Sequence, residues 1–334
     1  INAEATGTTD AFAIRTNPGV CLLINSGTYN ATAKTTTARA LLTKGYTAVV
    51  NGTFNATAGT TDANAIRVEA GIAAVRNGAF FATAQTHDAN ASVVASGAKL
   101  LTYGGTFHGK LENIAKDKNA TGVYVNGTLE AQGGTFIGEA ANSGLAEAQT
   151  SLAVGVLANT GSNVTLANAT LRGLTDNTYV NGAYALYSKT TNPVNLTNCT
   201  LEATSTYQYG YGIYNNGSSL TANNCEITVN TTYAYNYGVY NNSATANTEM
   251  VNSTLICTSG TTYAYGANVL NGTLTATDCT FSAETKRTGA ESAGNCQLFG
   301  INVASGKTAT LTGCTINATG SGTYSNNGYG IYVD

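Results

Sequence analysis

The chain has 334 residues, of which only 10% are charged, with no Trp, two Pro, 38 Gly and a formal net charge of −3. Charge so sparse, and without blocks of Lys and Arg, excludes the electrostatic footprint of a nucleic-acid-binding protein, and no stretch approaches the ~18 to 20 consecutive apolar residues of a membrane span. At 43% hydrophobic residues the chain is too apolar for a disordered polar tract, so an ordered fold is expected.

The opening INAEATGTTDAF lacks the basic start and apolar core of a secretory signal. Heavy use of Thr and Asn with little Lys is the composition of secreted and surface repeat proteins, and an extracellular or cell-surface location is expected on that ground. The seven Cys are odd in number and sit at repeat-determined positions, which is not a disulfide framework.

Internal repetition decides the fold. In chain order a first motif runs SGTYNAT from Ser26, NGTFNAT from Asn51, NGAFFAT from Asn77, GGTFHG from Gly104 and GGTFIG from Gly133. It continues as NATLRG from Asn168, NCTLEAT from Asn198, NCEITV from Asn224, NSTLICT from Asn252, DCTFSA from Asp278 and GCTINAT from Gly313. A second motif interleaves with it, among its copies AIRTN at Ala13, AIRVE at Ala65, GVYVNG at Gly122, GIYNNG at Gly212 and GIYVD at Gly330. From Ile14 to Ile331 the mean spacing is about 29 residues, so one coil holds both motifs.

Within the first motif the residues alternate, the signature of a strand with one buried face. A small column from Gly27 to Cys314 precedes a large apolar one, Tyr29, Phe54, Phe80, Phe107, Phe136, Leu171 and their successors, and a second small column from Ala31 to Ala318 follows. All three columns are predicted to face inward, with Thr on the outside. One coil cannot bury its apolar strip alone, but coils stacked ~4.8 Å apart make a continuous core. The predicted fold is all-β: a right-handed parallel β-helix of about eleven coils with three short strands each, a single domain over 1–334 with longer insertions near 139–151 and 284–298.

This pattern resembles the right-handed β-helix repeats of the pectate-lyase-like superfamily, and more narrowly the repetitive adhesin-like surface proteins of microbes. The resemblance implies a fold and not an activity. Lyases of that superfamily hold Ca²⁺ in an Asp cluster beside an Arg or Lys, and its hydrolases carry an Asp pair and a His-Gly. Here there are seven Asp, none adjacent to another, and His108-Gly109 matches the dipeptide without the paired carboxylates that glycoside hydrolysis needs. Asp10, Asp62 and Asp88 share a turn register and read as turn formers. Cys199 and Cys225, stacked on adjacent coils, read as buried free thiols, since their expected spacing exceeds that of a disulfide. No catalytic residue, metal site or cofactor is expected.

Three outward features remain. Tyr207, Tyr209, Tyr233, Tyr235, Tyr263 and Tyr265 recur at 26- and 30-residue spacing and are predicted to form a stacked ladder, whose rings could meet sugars or a partner, or simply cap the core. Phe81, His108 and Ile137 form a candidate exposed contact strip, with Arg172 and Glu202 pairing beyond it. Sixteen Asn-x-Ser/Thr sequons occur, and Asn30, Asn55 and Asn317 are the outward ones that a glycosylating host would decorate. The start and end of the chain match one another in the repeat, so head-to-tail stacking on itself or continuation into flanking repeats is expected. The reading is a non-enzymatic extracellular structural protein, a module of a surface fibre, filament or adhesin that contacts surface glycans or a receptor. Its rival is a carbohydrate-binding or polysaccharide-degrading β-helix.

Overall fold

The computed structural model describes residues 1–113, 117–141, 151–176, 182–217, 219–233, 235–260, 263–286, 296–321 and 326–334. Three sheets, here A, B and C, run the length of a β-solenoid and hold twelve, twelve and eleven strands. Sheet A starts with Asn2–Ala5 and Thr28–Ala33, sheet B with Ala11–Arg15 and Ala38–Thr43, and sheet C with Cys21–Ile24 and Tyr46–Val49. Successive strands of each sheet are parallel neighbours, so every coil contributes one strand to each sheet. Among the described residues no helix is long and apolar enough to cross a membrane.

The first motif occupies sheet A and the second sheet B. Backbone register pairs Tyr29 with Phe54, Phe54 with Phe80, Phe80 with Phe107 and Phe107 with Phe136. Their rings stack in the lumen with centroids 4.9, 4.8, 4.6 and 5.3 Å apart. Sheet B adds Leu41, Ile66, Val123 and Ile213 to the same core, and sheet C adds Leu100, Leu129, Leu166 and Leu196. Each buried side chain of this size contributes roughly 1.5–3 kcal/mol, and no coil makes that contribution without its neighbours. The two longest steps in sheet A run from Thr135 to Thr170 and from Thr280 to Thr315; the insertions expected near 139–151 and 284–298 lie for the most part outside the described residues.

The second small column, Ala31, Ala56 and Ala82 followed by Gly109, Gly138 and Gly173, faces the backbone of sheet B. A Cβ on Gly138 would lie 2.3 Å from the Val154 carbonyl oxygen and 2.4 Å from that of Ala120. Farther along the roles reverse: Val229 and Ile227 on sheet A fill the space beside Gly210 and Gly212 on sheet B. Bulk is traded across the corner coil by coil.

The first small column departs from the expectation that it faces inward throughout. Gly27, Gly52, Gly78, Gly105 and Gly134 form the corner into sheet A with φ between 96° and 146°, and their size serves backbone conformation. From Ala169 to Cys279 the column is buried, and the left-handed residue moves one place back, to Asn168, Asn198, Asn224, Asn252 and Asp278, with φ of 49–53°. Asn tolerates this conformation where other side chains lose roughly 1–2 kcal/mol. Stacked Asn side chains also bond along the axis, the Asn224 Nδ2 donating to Asn198 Oδ1 at 2.8 Å. Asn224→Ala is accordingly expected to cost about 1–2 kcal/mol in a urea melt, and Asn224→Gly clearly less.

Candidate functional site

The outer face of sheet B carries the densest chemistry on the rod. In each of its strands one residue near the middle drops out of register, so that Val154 pairs with Tyr184 and Val156 with Leu186 while Gly155 and Ala185 are skipped. This interrupts the simple alternation, and the residue just before the skipped one and the residue two places after it both face outward. Two outer columns result. The first passes from Arg39, Asn64, Asn90 and Thr121 to Val154 and then Tyr184, Tyr211, Tyr237, Tyr265, Phe299 and Tyr329. The second passes from Arg67, Val93 and Tyr124 to Leu157, Tyr187, Tyr214 and Tyr240.

From Tyr184 onward the first column is a continuous aromatic stack, with successive centroids 4.6, 5.1, 4.8, 4.8 and 5.2 Å apart and interplanar angles of 10–15°. The second column meets it edge-on, Tyr214 against Tyr211 at 83° and Tyr240 against Tyr237 at 63°. Together with Leu152, Val154 and Leu157 the rings of Tyr184, Tyr211, Tyr237 and Tyr265 and those of the second column form a second apolar cluster, separate from the lumen. Although they project outward, Tyr184, Tyr211 and Tyr237 are only 4%, 8% and 9% exposed.

Of the six tyrosines singled out by spacing, Tyr209, Tyr235 and Tyr265 pack against this cluster, and the six stack in a different register from the expected one. Tyr209 stacks on Tyr235 at 5.6 Å and Tyr235 on Tyr263 at 4.6 Å, while Tyr207 stacks on Tyr233 at 5.3 Å. Tyr265 belongs to the Tyr237 stack. Register follows backbone pairing, in which the Asn236 N–H donates to the Tyr263 carbonyl at 3.1 Å, and not the copied TYAY string. The spacing argument singles out none of Tyr184, Tyr187, Tyr211, Tyr214, Tyr237 and Tyr240; Tyr214 lies inside the second motif, and Tyr211 directly precedes that copy. The usable signal was the recurring Tyr-Gly-(Ile/Val)-Tyr, with Tyr on both sides of the skipped Gly.

Burial pushes the phenols of Tyr184, Tyr211, Tyr237 and Tyr265 well above their ordinary range and that of Tyr214 up to about 12, neighbouring phenols adding to the effect. The unfolded chain, with phenols near 10.0, therefore loses these protons before the folded one does. Their contribution to stability is complete below pH 10 and lost as the pH climbs above it. The urea midpoint is expected to hold between pH 7 and 9 and fall by pH 11, with the tyrosinate absorbance of these rings rising only as the fold melts.

On sheet A the expected contact strip is assembled by register, Phe81 beside His108 and His108 beside Ile137, but an ion-pair network interrupts it. His108 Nε2 lies 2.9 Å from Glu139 Oε2, and Lys110 Nζ 3.3 Å from Glu139 Oε1. Burial lowers the His108 pKa, against the opposing pull of Glu139. Arg172 and Glu202 pair at 2.6 Å beyond Ile137. The sequon Asn30 donates through Nδ2 to Asn2 at 2.7 Å, Asn55 to Asn30 at 2.7 Å, and Asn317 to Ser282 at 3.2 Å. A glycan on any of these nitrogens replaces one of the two donor hydrogens of an amide that now holds two coils together. Cys199, Cys225, Cys257 and Cys279 are buried free thiols.

Among the described residues no three His, Cys, Asp or Glu side chains converge as metal ligands. Comparison with protein-family models, with curated proteins and with solved structures finds no match.

Proposed function

We propose that this chain is a non-enzymatic structural protein, a rigid β-solenoid module of an extracellular fibre or adhesin. The observation that carries the proposal is the outer aromatic stack. A sugar-binding platform offers open ring faces, whereas the faces of Tyr211 and Tyr237 are each occupied by rings of adjacent coils at 4.6–5.1 Å. Solvent meets ring edges and the more exposed Tyr207 and Tyr233 at the corner. Stacking of this kind adds roughly 0.5–1.5 kcal/mol per pair beyond area burial, and it joins coil to coil along the axis, the direction in which a fibre bears load. A solenoid is stable as a sum of repeats and interfaces, so a second core beside the lumen strengthens each interface.

The proposal is tested by incubating the purified chain with polyuronides and neutral glycans while imaging it by electron microscopy. Straight rods and unaltered glycans are expected. Unsaturated or shortened products that disappear with His108→Ala would overturn the structural reading in favour of a polysaccharide-degrading one.

A further inference from the structure

Upstream of the aromatic stack, the same face of sheet B opens into a cleft of about 440 Å³ lined by Asp62, Asn64, Arg67, Asp88, Asn90 and Tyr124, among others. Its polar groups are incompletely satisfied. Asn64 is 2% exposed, yet its Oδ1 is buried without a hydrogen-bond partner. An orphaned buried acceptor is costly, about 1–3 kcal/mol. Asp88 accepts the Asn119 N–H through Oδ1 at 2.8 Å, and its carboxyl is raised above the usual range by burial, with the charge of Asp62 on the preceding coil contributing.

The molecule contains an occupied version of this arrangement. Asp10 stands at the same corner as Asp62 and Asp88, three residues before the middle of its sheet B strand. Like Asp88, it accepts a backbone N–H of the following coil through Oδ1, that of Thr37 at 3.2 Å. Its other oxygen takes the Arg39 guanidinium at 2.5 Å, and that guanidinium also lies 5.4 Å from the centre of the Phe12 ring. In register, the positions equivalent to Arg39 that follow Asp62 and Asp88 are Asn90 and Thr121. Both are too short to reach back as Arg39 does. The Thr121 hydroxyl donates instead to Asn90 Oδ1. In register, the cleft lies two coils beyond the place where Arg39 reaches back to Asp10. Arg67 lines it but is also drawn toward Glu69, its Nε 3.8 Å from Oε2, while Lys118 and His87 lie near Asp88 from outside the strand.

We infer that this cleft binds a small organic cation carrying a guanidinium group, with Asp62 and Asp88 as its carboxylate partners and Asn64 Oδ1 as a further acceptor. The planar fork of a guanidinium donates to two oxygens at once, which a compact ammonium does not match. The ligand does for these coils what Arg39 does for Asp10.

Calorimetric titration of the full chain with agmatine tests the inference, with putrescine, calcium chloride and maltose as comparators. Saturable agmatine binding is expected, with putrescine at least about tenfold weaker, because one ammonium replaces the fork. Asn90→Arg tethers a guanidinium in the cleft and is expected to weaken agmatine binding at least about tenfold while the circular dichroism spectrum is kept. Asp62→Asn, at a partly exposed corner, is expected to do the same without adding bulk. Three results would each overturn the inference: no saturable agmatine binding, calcium binding that agmatine does not displace, or agmatine affinity unchanged in a folded Asn90→Arg or Asp62→Asn protein.

Discussion

Replacing Tyr211 by alanine is expected to destabilise the chain by about 3–5 kcal/mol, the range for deleting a large aromatic from a core, although the residue points away from the lumen. Its ring touches Tyr184 and Tyr237 face to face and Tyr214 and Tyr240 edge-on, so the substitution opens a gap between three coils at once. Urea denaturation followed by circular dichroism measures the loss. Because coils interact only with their neighbours, the variant is also expected to broaden the transition or split it, the coils on either side of residue 211 melting apart. Tyr46→Ala is the matched control. That ring is 47% exposed on sheet C, and the change is expected to stay within about 0.5 kcal/mol. Equal effects at the two positions would show that the outer stack is not a core.

Gly138→Ala is the second large effect expected, at least about 3 kcal/mol, the upper end of overpacking costs. The added methyl would meet the Val154 carbonyl oxygen at 2.3 Å, the Ala120 carbonyl oxygen at 2.4 Å and the Val154 nitrogen at 2.4 Å. All three are backbone atoms of paired sheet B strands, so no side chain can rotate out of the way and the strands themselves must separate. Ala82→Gly, two coils earlier in the same column, removes a buried methyl without driving any atoms together and is expected to cost far less, about 1 kcal/mol for a strand-interior Gly. Thermal melts of the two variants side by side provide the comparison. A Gly138→Ala protein as stable as the parent would mean that the A–B corner is looser than its spacing indicates.

Much of the fold was legible because a solenoid writes its period into the sequence. The Phe54, Phe80, Phe107 and Phe136 column follows from alternation within a motif and from the motif's recurrence, and these rings pack as that alternation requires. Sheet C was less visible, since its four- and five-residue strands such as Lys99–Thr102 and Thr128–Ala131 carry only two inward positions each. The Gly27 to Gly134 column was misjudged because a Gly chosen for positive φ and a Gly chosen for size are the same letter. The aromatic face was only partly foreseen, because the skipped residue in each sheet B strand turns two residues outward on the same side, where strict alternation places Tyr184 and Tyr187 on opposite faces.

By itself, then, the sequence determined the strand periodicity, the lumenal aromatic column and the absence of paired acidic residues in its motifs, all of which depend on residue type and local spacing. Tertiary structure decided the rest. Whether Tyr263 lies over Tyr233 or Tyr235, whether a tyrosine face is open or covered, and whether Asp88 meets an arginine or an unfilled cleft are fixed by backbone pairing between residues 25 to 35 positions apart. Loops of unequal length shift that pairing without altering the motifs they join, and so the same letters meet different partners on successive coils.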